Sequence, residues 1–364
     1  MPKAIAIRQV SGKPGEVYYP LETIDITTPQ LGPDDVEVHI LAAALNHRDL
    51  FIRQHLYPGT TFGVPLLADG CGTVIATGSS PSATKWKGRR VILNPGLGWA
   101  TDEEGPEDPK GYRILGGTKH YASGTLAQRI VVPHTELEAA PQHLDAVQAA
   151  ALPLTGLTAW RAVATKSRNA LPGRNVLVTG IGGGVALLAL SFAVAKGANV
   201  YVTSGSEEKI RKAVELGAKG GVNYREQGWE KKLLAMLPKE RPLVDAIIDG
   251  AGGDVVDKAA KLVRHGGTIV SYGMTVGPKM PFLMSAVLKN IELRGSTMGS
   301  RKEFADMVRF VADKRIVPVV SRSFKGLHDI AAIDGLFEDM KKGSQFGKLV
   351  VVIDEDEEGA QSKL

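Results

Sequence analysis

The chain has 364 residues, which is enough for about two domains with ample hydrophobic cores. Its composition is that of a globular protein, with 43% hydrophobic and 23% charged residues and a formal net charge of +5. The densest basic stretch, Lys85–Arg90, fits a solvated turn before a strand. The sequence contains no run of Lys and Arg that is long enough to bind along a phosphate backbone. These features exclude nucleic acid as an expected partner.

Cysteine content and apolar runs limit the class further. The single cysteine, Cys71, excludes an intramolecular disulfide and a cysteine-rich zinc site, and it fits a reducing compartment. The first ten residues lack the long apolar core of a signal peptide. Residues Val176–Ala195 carry no charge, but their clustered glycines favour a buried strand, a turn and a buried helix over a membrane span.

The first 150 residues or so read as short β segments separated by turn signals, among them KAIAIR, VEVHILAAAL and LAQRIVVP. One helix is predicted near Asn46–His55. The segment from Asn94 to Lys119 is rich in Gly, Pro and acidic residues. A loop of that length is either disordered or functional, for example a lid carrying Trp99 and Tyr112.

After Leu152 the pattern changes, because apolar strand runs alternate with helical patterns. Such βαβ repetition predicts a doubly wound parallel sheet, and therefore an α/β fold of the Rossmann type. From about Gly299 two helices and the strand GKLVVVID are predicted to return to the first domain. The predicted domains are residues 1–152 with 299–364, and residues 153–298.

The stretch VLVTGIGGGVALLAL predicts a strand, a glycine-rich turn and a helix. Small residues are needed here because the chain turns sharply and its backbone approaches a pyrophosphate at a helix N-terminus. A turn that only packs helix on strand is the alternative. The cofactor contacts predicted at this turn are Gly180, Gly182, Gly183, Gly184 and Val185.

The residues at the end of the strand after this helix indicate whether the cofactor is NADH or NADPH. NAD sites usually carry an acidic residue there, whereas this chain has Thr203-Ser204-Gly205-Ser206 with Lys209 nearby. Glu207 and Glu208 read as first-turn helix residues behind a serine N-cap. Small hydroxyls and a lysine suit a 2′-phosphate, so NADPH is the predicted cofactor.

Several stretches together resemble the medium-chain dehydrogenase/reductase superfamily over nearly the whole chain. They are AALNHRDLFIRQHLYPGTTFGVPLLADGCGTV, LPLTGLTAW, the glycine-rich βαβ unit, GAKGGVNYR and FGKLVV. The resemblance implies a β-rich, GroES-like catalytic domain beside the Rossmann domain.

The zinc-dependent members of this superfamily carry a zinc-ligand cysteine, a Gly-His-Glu stretch and a cluster of four cysteines. Here Asn46 stands in place of the first cysteine, Ala68-Asp69 replaces the His-Glu pair, and the cysteine cluster is missing. A tetrahedral zinc site is therefore not expected. The sequence resembles the zinc-free, quinone-oxidoreductase-like branch, and the stray candidates His47, His55, His120 and Cys71 match no metal-ligand spacing.

The resemblance implies further roles, residue by residue. Asn46 would face the nicotinamide or the substrate, with a helix N-cap as its alternative role, and Thr155 would pack beside the nicotinamide. The other cofactor contacts that it implies are Tyr224 near the 2′-phosphate, alongside the Ser204, Ser206 and Lys209 already selected, then Gly250 and Ala251 after the fourth strand, Gly273 after the fifth, and Lys348.

Without zinc, no Lewis acid polarises the substrate oxygen, so hydride transfer needs an acceptor that is already electron-poor. Quinones, α,β-unsaturated carbonyls and enoyl thioesters fit this requirement. Tyr57 is a candidate proton or hydrogen-bond donor, with water as its competitor and a structural turn residue as the alternative. Carbonyl or alcohol redox chemistry without zinc, and an NADPH-binding module without turnover, are the alternative functions.

Two further expectations concern partners and location. The resemblance implies a homodimer, because members of the superfamily often pair by extending the sheet of the cofactor domain. Here the edge would be a sixth strand in Ile291–Gly299, preceded by the apolar stretch MPFLMSAVL. The last ten residues are acidic and predicted to be disordered. They end in Ser362-Lys363-Leu364, a peroxisomal address read by an import receptor. A peroxisomal location is therefore expected, with the cytoplasm as the alternative.

Overall fold

A computed structural model describes residues 1–277 and 279–354. The chain forms two compact units, one built from Met1–Leu154 together with the part that starts at Ser300, the other from Thr155–Gly299. The predicted domain boundaries, 152/153 and 298/299, compare with 154/155 and 299/300 in the structure. The predictions for the tail 355–364, including Ser362, Lys363 and Leu364, lie outside the described residues.

In chain order the strands are β1 (Lys3–Ile7), β2 (Leu21–Asp25), β3 (Asp35–Ala44), β4 (Asp69–Thr77), β5 (Arg90–Leu93), β6 (Gly96–Leu97), β7 (Arg113–Ile114), β8 (Arg129–Pro133), β9 (Leu137–Ala139), β10 (Asn175–Val178), β11 (Asn199–Ser204), β12 (Gly220–Asn223), β13 (Val244–Asp249), β14 (Val263–Ser271), β15 (Glu292–Gly295), β16 (Val320–Lys325) and β17 (Lys348–Val352). The α-helices are α1 (His47–Arg53), α2 (Pro81–Thr84), α3 (Ala146–Ala150), α4 (Pro153–Trp160), α5 (Gly184–Ala195), α6 (Glu207–Glu215), α7 (Trp229–Met236), α8 (Val255–Leu262), α9 (Met284–Leu288), α10 (Arg301–Lys314) and α11 (Ile330–Lys342). A 3₁₀ turn (His134–Glu136) and a π-helical segment (Arg161–Lys166) complete the described elements.

The first unit is built on a mostly antiparallel sheet in the order β16-β17-β3-β4-β5-β9, with β8 also paired to β3. At its centre the end of β3 pairs with the start of β4 and with β17. Ala44 lies opposite Asp69 on one side and Val350 on the other. This register brings three chain segments together: the one just after β3, the first residue of β4 and the first residue of β17.

The second unit is a six-stranded sheet in the order β12-β11-β10-β13-β14-β15, and every pair in it is parallel. The strand order reverses between β10 and β13, which is where doubly wound folds bind ligands. The uncharged stretch Val176–Ala195 forms most of β10, a glycine turn and α5. Over the described residues, no helix has the length and apolar character to cross a membrane.

The segment 94–119 is folded on itself. Short strands β6 and β7 pair within it, and the indole N–H of Trp99 donates to the carbonyl of Asp102 at 2.7 Å. The Glu107 carboxylate accepts the backbone N–H groups of Ala100, Thr101 and Asp102 at 2.6, 2.6 and 2.7 Å. These bonds hold the pKa of Glu107 down at about 2. One carboxylate therefore closes this loop.

We expect Glu107→Gln to speed hydrogen exchange of the amides of residues 100–102 several-fold, because a neutral amide oxygen is a weaker acceptor than a carboxylate. The wild-type pKa lies below the ordinary value. The loop's stabilisation is therefore present above about pH 4.5 and is lost as the pH falls towards 2. Glu104→Gln is the matched control, because that side chain has no partner among the described residues. Equal exchange rates in the two variants would contradict the assignment.

Candidate active site

The glycine turn of the second unit lies at the carboxyl end of β10. Gly180 and Gly182 have φ values of +63° and +135°, a region that side chains strongly disfavour, so these two positions require glycine. The N–H groups of Gly180 and Ile181 are bonded to Thr203 on β11, which fixes the turn. Gly183 is the N-cap of α5, and the helix N-terminus is a ready anion site.

A second loop follows β13 beside this turn. Asp249, fully buried, accepts the hydroxyl of Thr179 at 2.6 Å and the N–H groups of Ala251 and Gly252 at 3.3 and 2.9 Å. Burial raises the pKa of Asp249. A Cβ at Gly250 would lie 2.6 Å from the ring of Tyr272, so any larger residue here requires that ring to move.

The end of β14 supplies the last backbone contact predicted in this unit. Gly273 follows the strand, and its carbonyl accepts the hydroxyl of Ser271 at 3.2 Å. The predicted contacts Gly250, Ala251 and Gly273 therefore lie on neighbouring strand ends.

The end of β11 gathers hydroxyls and cations. The N–H of Ser206 donates to the Ser204 hydroxyl, and Ser206 caps α6 by accepting from the N–H of Lys209. A Cβ at Gly182 would lie 3.3 Å from the Lys209 ammonium. A Cβ at Gly205 would lie 2.9 Å from the Tyr224 hydroxyl and 2.8 Å from Arg225 Nε. Burial lowers the pKa of Lys209.

Arg225 is the residue of this group that the sequence analysis missed. It follows Tyr224 directly in the chain, so a second basic group near the strand end was the signal. Its guanidinium presents planar donors, which suit a phosphate group. Predicted residues Ser204, Ser206, Lys209 and Tyr224 are thus brought together, with Arg225 added.

The first unit contains a buried polar network at the junction of β3, β4 and β17. The Lys348 ammonium donates to the Leu45 carbonyl at 2.7 Å, to Asn46 Oδ1 at 2.6 Å and to Asp69 Oδ2 at 2.8 Å. Asn46 Nδ2 donates to the same carboxylate oxygen at 2.9 Å. Lys348 is 4% exposed, Asn46 5% and Asp69 0%.

Neighbouring groups hold this network in place. The other oxygen of Asp69 accepts the N–H of Leu154 at 2.7 Å. Asn46 is the N-cap of α1, and its N–H donates to Asp49 at 2.8 Å, as the alternative N-cap role anticipated. Burial raises the pKa of Asp49 to about 6, although Arg48 beside it opposes that shift.

The remaining catalytic candidates are placed as follows. Tyr57 lies after α1, and the guanidinium carbon of Arg48 is 4.5 Å from its ring centroid. Arg48 is itself fixed by the carbonyls of Leu115 and Gly116. Thr155 is buried in the first turn of α4, in the second unit. The cofactor contact implied for Lys348 stays a prediction, and three acceptors already engage the three protons of its ammonium.

The stray metal candidates are dispersed. His55 Nδ1 is 2.5 Å from the Tyr19 hydroxyl, His47 packs edge-on against Phe51, and the His120 ring lies against Gly59. Cys71 is buried in β4. Across residues 1–277 and 279–354, no group of three or more His, Cys, Asp or Glu side chains is placed to hold a metal ion.

Two family models match the chain. The alcohol dehydrogenase GroES-like domain matches residues 32–142, and the zinc-binding dehydrogenase model matches residues 184–313. The zinc-type alcohol dehydrogenase-like protein YogA of Leptosphaeria maculans is 51% identical over 97% of this chain and 100% of its own length. The chain belongs to the medium-chain dehydrogenase/reductase superfamily.

Solved structures of this superfamily have the same fold. The structure of an NAD-dependent alcohol dehydrogenase superposes with a TM-score of 0.83 at 33% identity, covering 96% of this chain and 99% of that one. A crotonyl-CoA carboxylase/reductase superposes with a TM-score of 0.82 at 25% identity, covering 97% and 88%. The predicted fold class and superfamily are confirmed. The protein is an oxidoreductase of this superfamily.

The zinc named in these relatives does not fit the residues of this chain. Where zinc-dependent members of the superfamily carry a ligand cysteine and a His-Glu pair, this chain carries Asn46 and Ala68-Asp69. An amide and a methyl group replace the soft ligands that zinc prefers. The one carboxylate of the set, Asp69, is already neutralised by the Lys348 ammonium at 2.8 Å. No reaction step is therefore derived through zinc.

Proposed function

We propose that this protein is an NADPH-dependent reductase that transfers hydride, without zinc, to a quinone, an α,β-unsaturated carbonyl or an enoyl thioester. The observation that supports it best is the buried Asn46–Asp69–Lys348 network, in which an amide replaces the ligand cysteine and Lys348 forms an ion pair with the neighbouring carboxylate. When bound, NADPH would supply the hydride that the acceptor takes up.

The acceptor class follows from the charge that the site must stabilise. A conjugated acceptor spreads the developing negative charge over its π system and on to its oxygen, so a hydrogen-bond donor can replace a Lewis acid. Asn46 has one amide N–H that no acceptor among the described residues takes. Its role is to bind the acceptor oxygen. A proton, from Tyr57 or from water, completes the reduction.

NADPH is proposed from the end of β11. Hydroxyls at Ser204 and Ser206, and cations at Lys209 and Arg225, surround the place where an NAD site carries an acidic residue. Backbone N–H groups at Gly183–Val185, at the N-terminus of α5, would hold its pyrophosphate. The backbone at Gly250 and Gly273, on neighbouring strand ends, would pass the ribose.

A second candidate is alcohol or carbonyl redox chemistry with NAD. It is favoured by the name of the 33% identical structure, an NAD-dependent alcohol dehydrogenase. The name of the crotonyl-CoA carboxylase/reductase favours enoyl thioesters instead. The site carries the amide of Asn46 in place of the ligand cysteine, held by the Asp69–Lys348 ion pair, and therefore suits conjugated acceptors better than simple alcohols.

The test is a panel of acceptors with purified protein. NADPH and NADH oxidation is followed with quinones, enones and 2-enoyl thioesters, and NAD(P)⁺ reduction is followed with primary and secondary alcohols. Turnover of a conjugated acceptor with NADPH supports the proposal. Turnover of alcohols with NAD⁺ supports the second candidate, whereas tight NADPH binding without turnover would identify a non-catalytic module.

The role of Tyr57 has its own prediction. Tyr57→Phe keeps the ring that stacks on Arg48 and removes only the hydroxyl, so we expect kcat to fall about tenfold with little change in NADPH affinity. Tyr18→Phe is the matched control. That ring also stacks on an arginine, Arg53, at 4.0 Å, so the control removes the same hydroxyl from a similar pair. If Tyr57→Phe turns over as fast as the control, water is the proton source.

We also propose a homodimer formed through the edge of the second unit's sheet. β15 is the edge strand, and in α9, which precedes it in the chain, Met284 and Leu288 are 66% and 68% exposed. A second copy of the same edge would continue the sheet and cover these side chains. Light scattering should give a dimer for the wild type and a monomer for Leu288→Asp. Met236→Asp, at an exposed apolar position of α7, should stay dimeric.

The peroxisomal location and the import receptor remain proposals that rest on Ser362-Lys363-Leu364. Residues 355–364 fused to a fluorescent reporter should direct it to peroxisomes, and deletion of the last three residues from the full chain should abolish import. A diffuse reporter would leave the cytoplasm as the location.

A further inference from the structure

Lys348 is a buried cation whose ammonium has no N–H left to donate to a ligand. It opens β17, is 4% exposed, and gives its three protons to Leu45 O, Asn46 Oδ1 and Asp69 Oδ2. Asp69 balances its charge from a fully buried position. Burying an ion pair is expensive, and an apolar pair of the same size would often be at least as stable. Stability alone therefore gives no reason for this pair.

The Lys348–Asp69 ion pair binds both the oxygen and the nitrogen of the Asn46 side-chain amide. The amide oxygen accepts from the ammonium at 2.6 Å, and one amide N–H donates to the carboxylate at 2.9 Å. The side chain is thus held in one rotamer and one flip state. A cation at the oxygen also polarises the amide and makes its N–H groups stronger donors. The second N–H remains for a ligand, because no acceptor among the described residues takes it.

We propose that Lys348 is a positioning residue that acts on the acceptor through Asn46, at the place where zinc-dependent relatives use a metal ion. It fixes and polarises Asn46, whose second N–H donates to the acceptor oxygen as that oxygen becomes negative. This inference rests on the proposed function, since it names the group that stabilises the reduced, enolate-like or phenolate-like product. Electron flow is unchanged: the hydride pair enters the acceptor, and Lys348 keeps its proton throughout.

The experiment removes both charges together, so that neither is left buried alone. In Lys348→Met/Asp69→Asn we expect kcat for an enone to fall about 30-fold, with the NADPH dissociation constant within about twofold of wild type. Asn46→Ala should cause a similar fall. The triple variant should fall no further than about threefold below either, because Lys348 acts through Asn46. If the Lys348–Asp69 pair had only a structural role, its removal would lower the melting temperature, and the losses of kcat in the variants would not be coupled.

A binding readout separates this inference from the proposed reaction. In the NADP⁺ complex, 4-nitrophenol serves as a stable mimic of the reduced product, and its absorbance reports the phenolate. Wild type should bind the phenolate about tenfold more tightly than the phenol, and both variants should lose that preference. This result stands even if no acceptor is turned over, in which case only the proposed function fails.

Three results overturn the inference. They are an unchanged phenolate preference in the Lys348→Met/Asp69→Asn variant, no phenolate preference in wild type, and stoichiometric zinc that is lost on Asn46→Ala. Thermal melting of every variant excludes loss of folding as the cause.

Discussion

Replacing Lys209 and Arg225 together with alanine is expected to weaken NADPH binding about 100-fold and to change NADH binding less than about threefold. Each cation would make a charge-assisted hydrogen bond to the 2′-phosphate, and the two together account for about 3 kcal/mol. Both groups border glycine positions at the end of β11 and in the turn after β10. The dissociation constants are measured by quenching of protein fluorescence.

Lys212→Ala is the matched control for this variant. It removes a lysine from the same helix, α6, but one that pairs with Glu208 on the surface at 2.7 Å. Its NADPH affinity should be that of wild type. If the double variant binds both cofactors as wild type does, then the 2′-phosphate lies elsewhere, and an NAD-dependent enzyme becomes the better proposal.

Replacing Asp245 is expected to destabilise the second unit by about 3 kcal/mol and to lower its melting temperature by about 10 °C. The fully buried carboxylate lies at the start of β13 and takes hydrogen bonds from Arg174, Arg241 and Arg264, at 2.6 to 3.0 Å, and from the N–H of Asn175 at 2.8 Å. Asp245→Asn leaves three guanidinium groups converging on a neutral amide.

The pH dependence of stability is a second test of the role of Asp245. The bonds from Arg241, Asn175, Arg174 and Arg264 outweigh burial and hold the pKa of Asp245 far below its usual range. Its stabilisation is therefore complete above about pH 4 and is lost as the pH falls further. Asp257→Asn, at an exposed position of α8, is the control for calorimetry. A drop of less than about 3 °C for Asp245→Asn would contradict the prediction.

The parts of the molecule that depend on local sequence could be predicted. The glycine turn lies within a few residues of a buried strand and a buried helix, so its small residues and its flanking pattern are visible together. Strand β16 was missed because most of its side chains are exposed, and its sequence carries no alternation of buried and exposed residues.

The polar network of the first unit could not be predicted in the same way. Asn46 and Lys348 were selected as separate residues, by resemblance, and they are 302 positions apart in the chain. Only the register of β3 between β4 and β17 shows that they meet. A cation that opens an otherwise buried strand, KLVVV, was the one local signal that acceptors must surround it.

The loop 94–119 shows a different limit. Its composition allowed disorder or a lid, because acidic residues and glycines are common to both. What closes it is a single carboxylate, Glu107, that binds three successive N–H groups five to seven residues earlier in the chain. Composition does not reveal which of several acids has that geometry.

The position of Lys348 near the end of the chain also affects the order in which the two units fold during synthesis. Its partner Asp69 is made 279 residues earlier, and until β17 is available that carboxylate lacks the ammonium that pairs with it in the folded interior. The second unit, a continuous run from Thr155 to Gly299, can fold while the ribosome is still extending the chain. The first unit has to wait for its closing strand. A nascent chain stalled before residue 348 therefore carries a folded dinucleotide-binding unit beside an unfinished partner, which is a substrate for chaperones.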